Sequence, residues 1–248
     1  MNNIDCPIYL INLKENEKGL LRTLKELRKL NIFNNIQIME AVNRVNAKCN
    51  AYKYITHQAY ENIEVNLKST NILPTWGAVG CAISHKNCWE DIINKNFRIA
   101  IICEDDIKIS NIEKFKYAYY DCLYKTIGYT SSIFTTFNSK SNSTDFGRIN
   151  GCFTGTSFYM INLNCAINLL KMFPIEQQFD IEIGKKKYDI GINIYNISNK
   201  VTSITNYEHQ SSVQYYFIEL DLLLKCLKNN FPVEIIEKIY YFTLKKKT

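Results

Sequence analysis

The chain has 248 residues, 46% of them hydrophobic and 22% charged, a balance that excludes an intrinsically disordered protein and fits one sizeable domain. Its net charge of +6 is modest, and the runs Lys185-Lys186-Lys187 and Lys245-Lys246-Lys247 make no long basic stripe with interleaved aromatics, so no nucleic acid is expected as partner. No uncharged apolar stretch reaches 18 residues, which excludes a transmembrane helix.

The N-terminal apolar run is too short for a signal peptide, since Asn12 and Lys14 end what Ile8 begins. The nine cysteines are odd in number, scattered, and without paired C-x-x-C spacing. Both features lead to a cytoplasmic expectation in a reducing compartment. Heavy use of Asn, Ile, Lys and Tyr hints at an A/T-rich genome, which would suit a viral enzyme acting in host cytoplasm.

In chain order, PIYLINL (7–13) is a short apolar run with β-branched and aromatic members and predicts a buried strand. Leu20, Leu21, Leu24, Leu27 and Leu30 recur at helical spacing over 15–31 and predict an amphipathic helix. IQIMEAV (36–42) returns to a strand, completing a βαβ opening and hence a parallel sheet. Residues 43–74 read as a polar loop with a short helix. Pro74 or Thr75 starts a helix that runs to about Asn96. A strand from Ile99 to Cys103 then stops abruptly in Glu104-Asp105-Asp106. A helix over 111–126, a strand over 131–137, a polar loop over 139–151, a strand in CFTGTSFYMI and a helix over 164–172 follow. One or two short strands are expected in IGINIYNISNKVTSIT. From Ser212 the tail reads as two helices separated near Pro232. The alternation argues for an α/β class with a mostly parallel sheet, divided into a main domain over 1–211 and a helical C-terminal tail over 212–248.

In open α/β sheets, ligands gather at the carboxyl ends of the strands. Glu104-Asp105-Asp106 places three carboxylates at such an end. Side chains alternate along an extended chain, so Glu104 and Asp106 are expected on one side and Asp105 on the other. Two converging carboxylates repel each other unless they share a cation, and Mg²⁺ or Mn²⁺ takes oxygen ligands of this kind together with substrate phosphates. Transfer from a nucleoside diphosphate donor is a chemistry that uses such a cation, as a Lewis acid for the leaving group. A turn with solvated acids or a helix cap is the competing account of the same three residues.

The company the triplet keeps decides between them. WGAVGCAISHKNCWEDIINKN followed by FRIAIICEDDIKIS resembles glycosyltransferase family 25, which includes lipopolysaccharide glycosyltransferases and collagen β-galactosyltransferases. The elements that carry the resemblance are Gly80-Cys81-Ala82-Ile83-Ser84-His85, Trp89 and Glu104-Asp105-Asp106. The opening IYLINLKENEKGLLRTLKEL, the segment GTSFYMINLNCAINLLKMFPIE and, more weakly, QSSVQ (210–214) extend it over about residues 7–214. Glu176 stands in the Pro-x-acid element where Asp is usual, and 43–74 matches poorly.

The resemblance implies a Rossmann-like nucleotide-sugar transferase fold of the GT-A type. It also implies a divalent metal (Mn²⁺ or Mg²⁺), a UDP-sugar donor, a glycan or protein acceptor, and inversion at the anomeric carbon. The transferred hexose would be galactose or glucose. Glu104 and Asp106 are the metal candidates, with His209 as a late ligand, and Asp105 is a candidate contact to the ribose or donor sugar. An inverting displacement needs a general base. Among Glu176, Asp180, Glu182 and Asp189, the expectation falls on Asp180 or Glu176. Trp76 and Gly77 open a helix whose backbone N–H groups could receive a phosphate. His85 is a candidate donor contact, although its helical face with Cys81 and Trp89 equally suits a buried structural histidine. Cys81, His85 and Cys88 lie on one helix but lack a fourth ligand at metal-site spacing. A family member that keeps the fold without turnover, as a binding or assembly protein, is the alternative reading.

Overall fold

Strand β1 (Ile8–Asn12) is buried along its whole length and stands beside two parallel neighbours, β2 (Ile36–Glu40) and β3 (Ile99–Glu104). The computed structural model describes residues 6–32, 35–65, 73, 75–128, 130–137, 147–149, 155–196 and 202–204, all within the unit Met1–Asn206. His209, the 211/212 boundary and the predicted helical tail lie outside the described residues.

Helix α1 (Glu17–Leu30) connects β1 to β2 and forms where the leucine spacing predicts it. Asn16 caps its start, Glu17 sits in its first turn, Arg28 and Lys29 in its last, and Asn31 closes it in the left-handed region at φ 49°. Each of these favours the helix dipole or an orphan backbone group. The stretch predicted as a loop with one short helix holds α2 (Arg44–Cys49), a 3₁₀ turn at Ala51–Lys53 and α3 (His57–Glu64). Asn43 and Thr56 are their side-chain caps, but each helix is too short to show a clear apolar period.

Helix α4 (Trp76–Asn94) enters β3, and a turn at Asp105-Asp106 leads to β4 (Ile107–Ile109). Helix α5 (Ile112–Gly128), β5 (Ser132–Thr136), β6 (Gly147–Arg148), β7 (Phe158–Asn162) and α6 (Leu163–Leu170) follow. Helix α7 (Phe179–Lys186), β8 (Ile192–Asn196) and β9 (Thr202–Ile204) complete the described elements. β4 and β6 were not expected from sequence, because segments of three and two residues carry no readable alternation. β4 pairs with β9 in a separate two-stranded ribbon.

The main sheet has seven strands in the order β2-β1-β3-β7-β5-β8-β6. β1, β2, β3, β5 and β8 share one direction, while β7 and β6 run against it. The sheet is therefore mostly parallel, as the alternation of elements predicts. Side-chain alternation divides its core in two. Ile8 and Leu10 of β1, Ile101 and Cys103 of β3 and Met160 of β7 pack with Leu27 of α1 and Phe115 of α5 on one face. Tyr159 points to the other face, where it meets His85 and Trp89 of α4. Among the described residues, no helix is long and apolar enough to cross a membrane.

Candidate active site

Helix α4 positions the centre through two interleaved pairs of residues. Gly80 and Ser84, one turn apart, grip the chain just beyond β2. A methyl group on Gly80 would stand 2.2 Å from the Val42 carbonyl oxygen, so only glycine allows this approach. Ser84 Oγ donates to the Gly80 carbonyl at 2.7 Å and accepts from the Val42 N–H at 2.8 Å. The next pair along the helix, Cys81 and His85, is thereby turned toward the end of β3. The sulfur of Cys81, a ring nitrogen of His85 and a carboxylate oxygen of Glu104 lie within 4.8 Å of one another. Cys88, considered with Cys81 and His85 as a ligand trio, is instead fully buried, and burial pushes its thiol far up.

His85 is fully buried, with its ring held on every side. Nδ1 lies 2.8 Å from the Tyr159 hydroxyl, which also accepts from the Trp89 indole N–H at 2.9 Å. Nε2 lies 3.3 Å from Glu104 Oε1. Phe179, at the start of α7, packs against the ring at a centroid distance of 4.5 Å. The motif residues Gly80, Ser84, His85 and Trp89 thus tie one helix to two strands.

The three carboxylates divide between the two faces. Asp105 accepts from Asn16 Nδ2 at 2.7 Å, and its carbonyl accepts from Arg22 at 3.2 Å, so it belongs to the α1 side. Glu104 belongs to the α4 side, and the Cys81 thiol is raised by burial and then by the charges of Glu104, Asp180 and Asp106. Asp106 is pushed up to about 7, first by burial, then by Glu104 and Asp105, with Arg22 opposing weakly. Burial also raises Asp105, against the Asn16 hydrogen bond that lowers it. Like charges crowded out of water raise the cost of ionising each.

Of the four acids weighed as bases, Asp180 is the one the fold brings to this centre. It lies in the first turn of α7 and is raised by burial, with Glu104 adding to the shift and N–H groups of Ile181 and Gly155 opposing it. Glu176 is exposed on the loop before α7, where its carbonyl accepts from the Leu73 N–H. Glu182 is buried but paired with Lys186 at 2.6 Å, and Asp189 is exposed. At the start of α4, Thr75 Oγ1 accepts from Ala78 N–H at 3.2 Å and Trp76 donates to Glu64 at 3.1 Å. The Trp76 indole meets Tyr60 edge-on, with Lys48 over its ring, as a packed helix start would have it. Gly77 lies one turn before Cys81 on the same helix.

Sequence reasoning missed Tyr159, Asn16 and Arg22. Each touches the site from far along the chain, and the only local signals were an Asn in capping position and an apolar strand containing a tyrosine.

A group of half-buried carboxylates with a raised acid and a neighbouring acceptor is suited to cation binding and to taking a proton from an incoming hydroxyl. The sequence profile of glycosyltransferase family 25 (LPS biosynthesis protein) matches residues 5–183. No curated protein matches the chain in sequence. Among solved structures, a Drosophila β-1,4-galactosyltransferase 7 mutant in complex with manganese, UDP-Gal and xylobiose is similar at 8% identity. The alignment covers 84% of this chain and 75% of that one with a TM-score of 0.45. A Bacillus anthracis protein assigned as a glucose-1-phosphate thymidylyltransferase, in complex with a sucrose, is similar at 9% identity, with 82% and 91% covered and a TM-score of 0.42.

Proposed function

The chain belongs to glycosyltransferase family 25 and is a glycosyltransferase, and on that premise we propose that it moves galactose or glucose from a UDP-sugar to a hydroxyl of a glycan or protein acceptor, with inversion. The observation that carries this reading is the meeting of Glu104 with Cys81 and His85 within 4.8 Å, with Asp106 and Asp180 near enough for their charges to help raise the Cys81 thiol. A sheet-end cluster of this kind suits a donor with a diphosphate on one side and an acceptor on the other.

The residues fit a divalent metal. Asp106 is raised to about 7 by burial first and then by the two carboxylates beside it, with Arg22 opposing only weakly. An oxygen-liganded Mn²⁺ or Mg²⁺ would reverse that imbalance, with Glu104 and Asp106 as its protein ligands. When bound, the cation stabilises the negative charge that develops on the leaving diphosphate.

The protein's own groups account for the remainder. Asp105, held by Asn16 on the α1 side, binds the ribose or donor sugar in this reading. Asp180 takes the proton of the acceptor hydroxyl as its oxygen bonds to the anomeric carbon and the bond to UDP breaks. Burial raises its carboxyl, which makes it a stronger proton acceptor than a solvated aspartate. Phe179, next to Asp180, packs against His85 and so ties the base to the helix that carries Cys81.

The test is release of UDP from UDP-galactose and UDP-glucose with Mn²⁺, Mg²⁺ or chelator, compared with GDP-sugars and nucleoside triphosphates. Turnover of one UDP-sugar only with metal is the expected result. Cleavage of a nucleoside triphosphate without any UDP-sugar turnover would defeat the donor assignment.

A further inference from the structure

Cys81, His85 and Glu104 offer sulfur, nitrogen and oxygen ligands within 4.8 Å of one another, so His85 has two possible roles. As a metal ligand it would present the bare lone pair of Nε2. As a positioning group it would present the Nε2 proton to Glu104. Hydrogen-bond counting separates the two.

The Trp89 indole can only donate, so the Tyr159 oxygen accepts from it at 2.9 Å. The single hydroxyl proton of Tyr159 then needs an acceptor in a fully buried setting. Among the described residues, the acceptor that meets this hydroxyl is His85 Nδ1, at 2.8 Å. An Nδ1 that accepts cannot carry the ring proton, which must sit on Nε2. Nε2 faces Glu104 Oε1 at 3.3 Å and donates to it. The opposite tautomer would aim two donors at the Tyr159 oxygen and leave a buried hydroxyl proton unmatched, at a cost of about 1–3 kcal/mol.

We infer that Trp89 and Tyr159 lock His85 in its Nε2–H tautomer, making His85 a positioning residue that holds one oxygen of Glu104 and leaves the other for the cation. The inference about the cation rests on the metal reading given under Proposed function; the tautomer does not. It also assigns a task to the tryptophan nine residues after Gly80: its indole fills the one acceptor position on Tyr159 that would otherwise let the lock slip. Cys81 then serves as the apolar neighbour of the clamped carboxylate, its thiol held protonated by burial and then by the charges around it.

The experiment is a two-bond ¹H–¹⁵N correlation spectrum of the full chain labelled at histidine. The sequence holds three histidines, and the His85 signals are those lost in His85→Gln. The expected result is a bare Nδ1 and a protonated Nε2, shifting toward mixed tautomers in Tyr159→Phe. Trp89→Phe is the second probe should Tyr159→Phe fail to fold. A protonated Nδ1 in the unaltered chain would overturn the inference, and a bare Nε2 beside it would leave His85 free to act as a ligand. Mn²⁺ binding, followed by the paramagnetic resonance signal of the free ion, gives a second readout. His85→Leu should bind the ion about 10-fold more weakly or worse. His85→Gln, whose amide can still donate to Glu104, should recover most of the loss. Equal affinity in all three proteins would overturn the positioning role. No Mn²⁺ binding by the unaltered chain would defeat the metal reading and the purpose of the clamp, while the tautomer result would still stand or fall alone.

Discussion

Gly80 and Val42 approach so closely that a methyl group on Gly80 would lie 2.2 Å from the Val42 carbonyl oxygen, and Ser84 bridges the same two residues by hydrogen bonds to each. Backbone meets backbone there, so no flexible side chain can give way. Gly80→Ala should therefore force α4 off the strand edge and cost about 1–3 kcal/mol, the usual range for overpacking. The drop should appear as a lower urea midpoint. Because Cys81 and His85 ride on the same turn, donor turnover should fall with it. An unchanged midpoint would show that the clamp is not tight.

Asp106 couples the site to stability through pH. Its folded-state carboxyl stands at about 7, above the ordinary unfolded value of about 3.9. Between about pH 4 and pH 7 the unfolded chain has lost a proton that the folded chain keeps, so stability falls as pH rises across that window and levels off above it. The full shift corresponds to about 4 kcal/mol at 1.36 kcal/mol per unit, and coupling to Glu104 and Asp105 reduces what Asp106 alone contributes. Asp106→Asn should thus make the metal-free protein more stable at pH 8 and about equally stable at pH 4, by chemical denaturation, while abolishing metal-dependent donor turnover. A variant less stable than the original at pH 8 would contradict the raised carboxyl of Asp106 in the folded chain.

Asn16 does two jobs that substitution can separate. Its Oδ1 accepts from the Gly19 N–H at 3.1 Å and caps α1, while its Nδ2 donates to Asp105 at 2.7 Å. Asn16→Ser keeps a capping oxygen and loses the donor to Asp105. Asn16→Ala loses both, at about 1 kcal/mol for the cap. The expected pattern is near-normal stability with raised donor KM for the serine variant, and reduced stability with the same KM defect for alanine. Donor KM values equal to the original in both would remove Asp105 from donor binding. Gly19 constrains the arrangement further, since a Cβ there would sit 2.3 Å from Asn16 Nδ2.

The division between what could be read from sequence and what could not follows range. The acidic end of β3 and the Gly80–His85 turn were legible because residue type and local period define them. The partners that give those residues their roles come from distant strands and helices. Tyr159 is 74 residues from His85, and Asp105 is 89 residues from Asn16. Tyr159 reaches His85 because β7 lies antiparallel beside β3, in the register that sets it against Ile102. A strand buried on both faces reads as the same apolar run in either direction, so neither the reversal of β7 nor its tyrosine's facing could be deduced. Alternation did foresee Asp105 turning away from Glu104, although the chain has already left β3 for a turn at that point. Of the four acids after Pro174, sequence narrowed the expectation to Asp180 or Glu176, and helix α7 and its neighbours distinguish those two.

That distinction gives the last prediction. Asp180 is half-buried, its carboxyl is raised by burial and then by the charge of Glu104, and its own charge helps raise the Cys81 thiol. Glu176 is exposed, and Glu182 is occupied by Lys186. If Asp180 accepts the acceptor proton, Asp180→Asn should lower kcat by about 10²–10⁴-fold, the usual contribution of a general base. Donor KM and Mn²⁺ affinity should change little, because the amide keeps the shape and the N–H partners of the carboxylate need only small adjustment. Glu176→Gln should leave kcat within a few-fold. The acid limb of the kcat profile adds an independent check: raised above the ordinary aspartate range, Asp180 must lose its proton before it can act, so the rate should climb as pH rises through that elevated value. Glu176→Gln silencing the enzyme while Asp180→Asn remains active would move the base to the exposed loop and reverse the assignment.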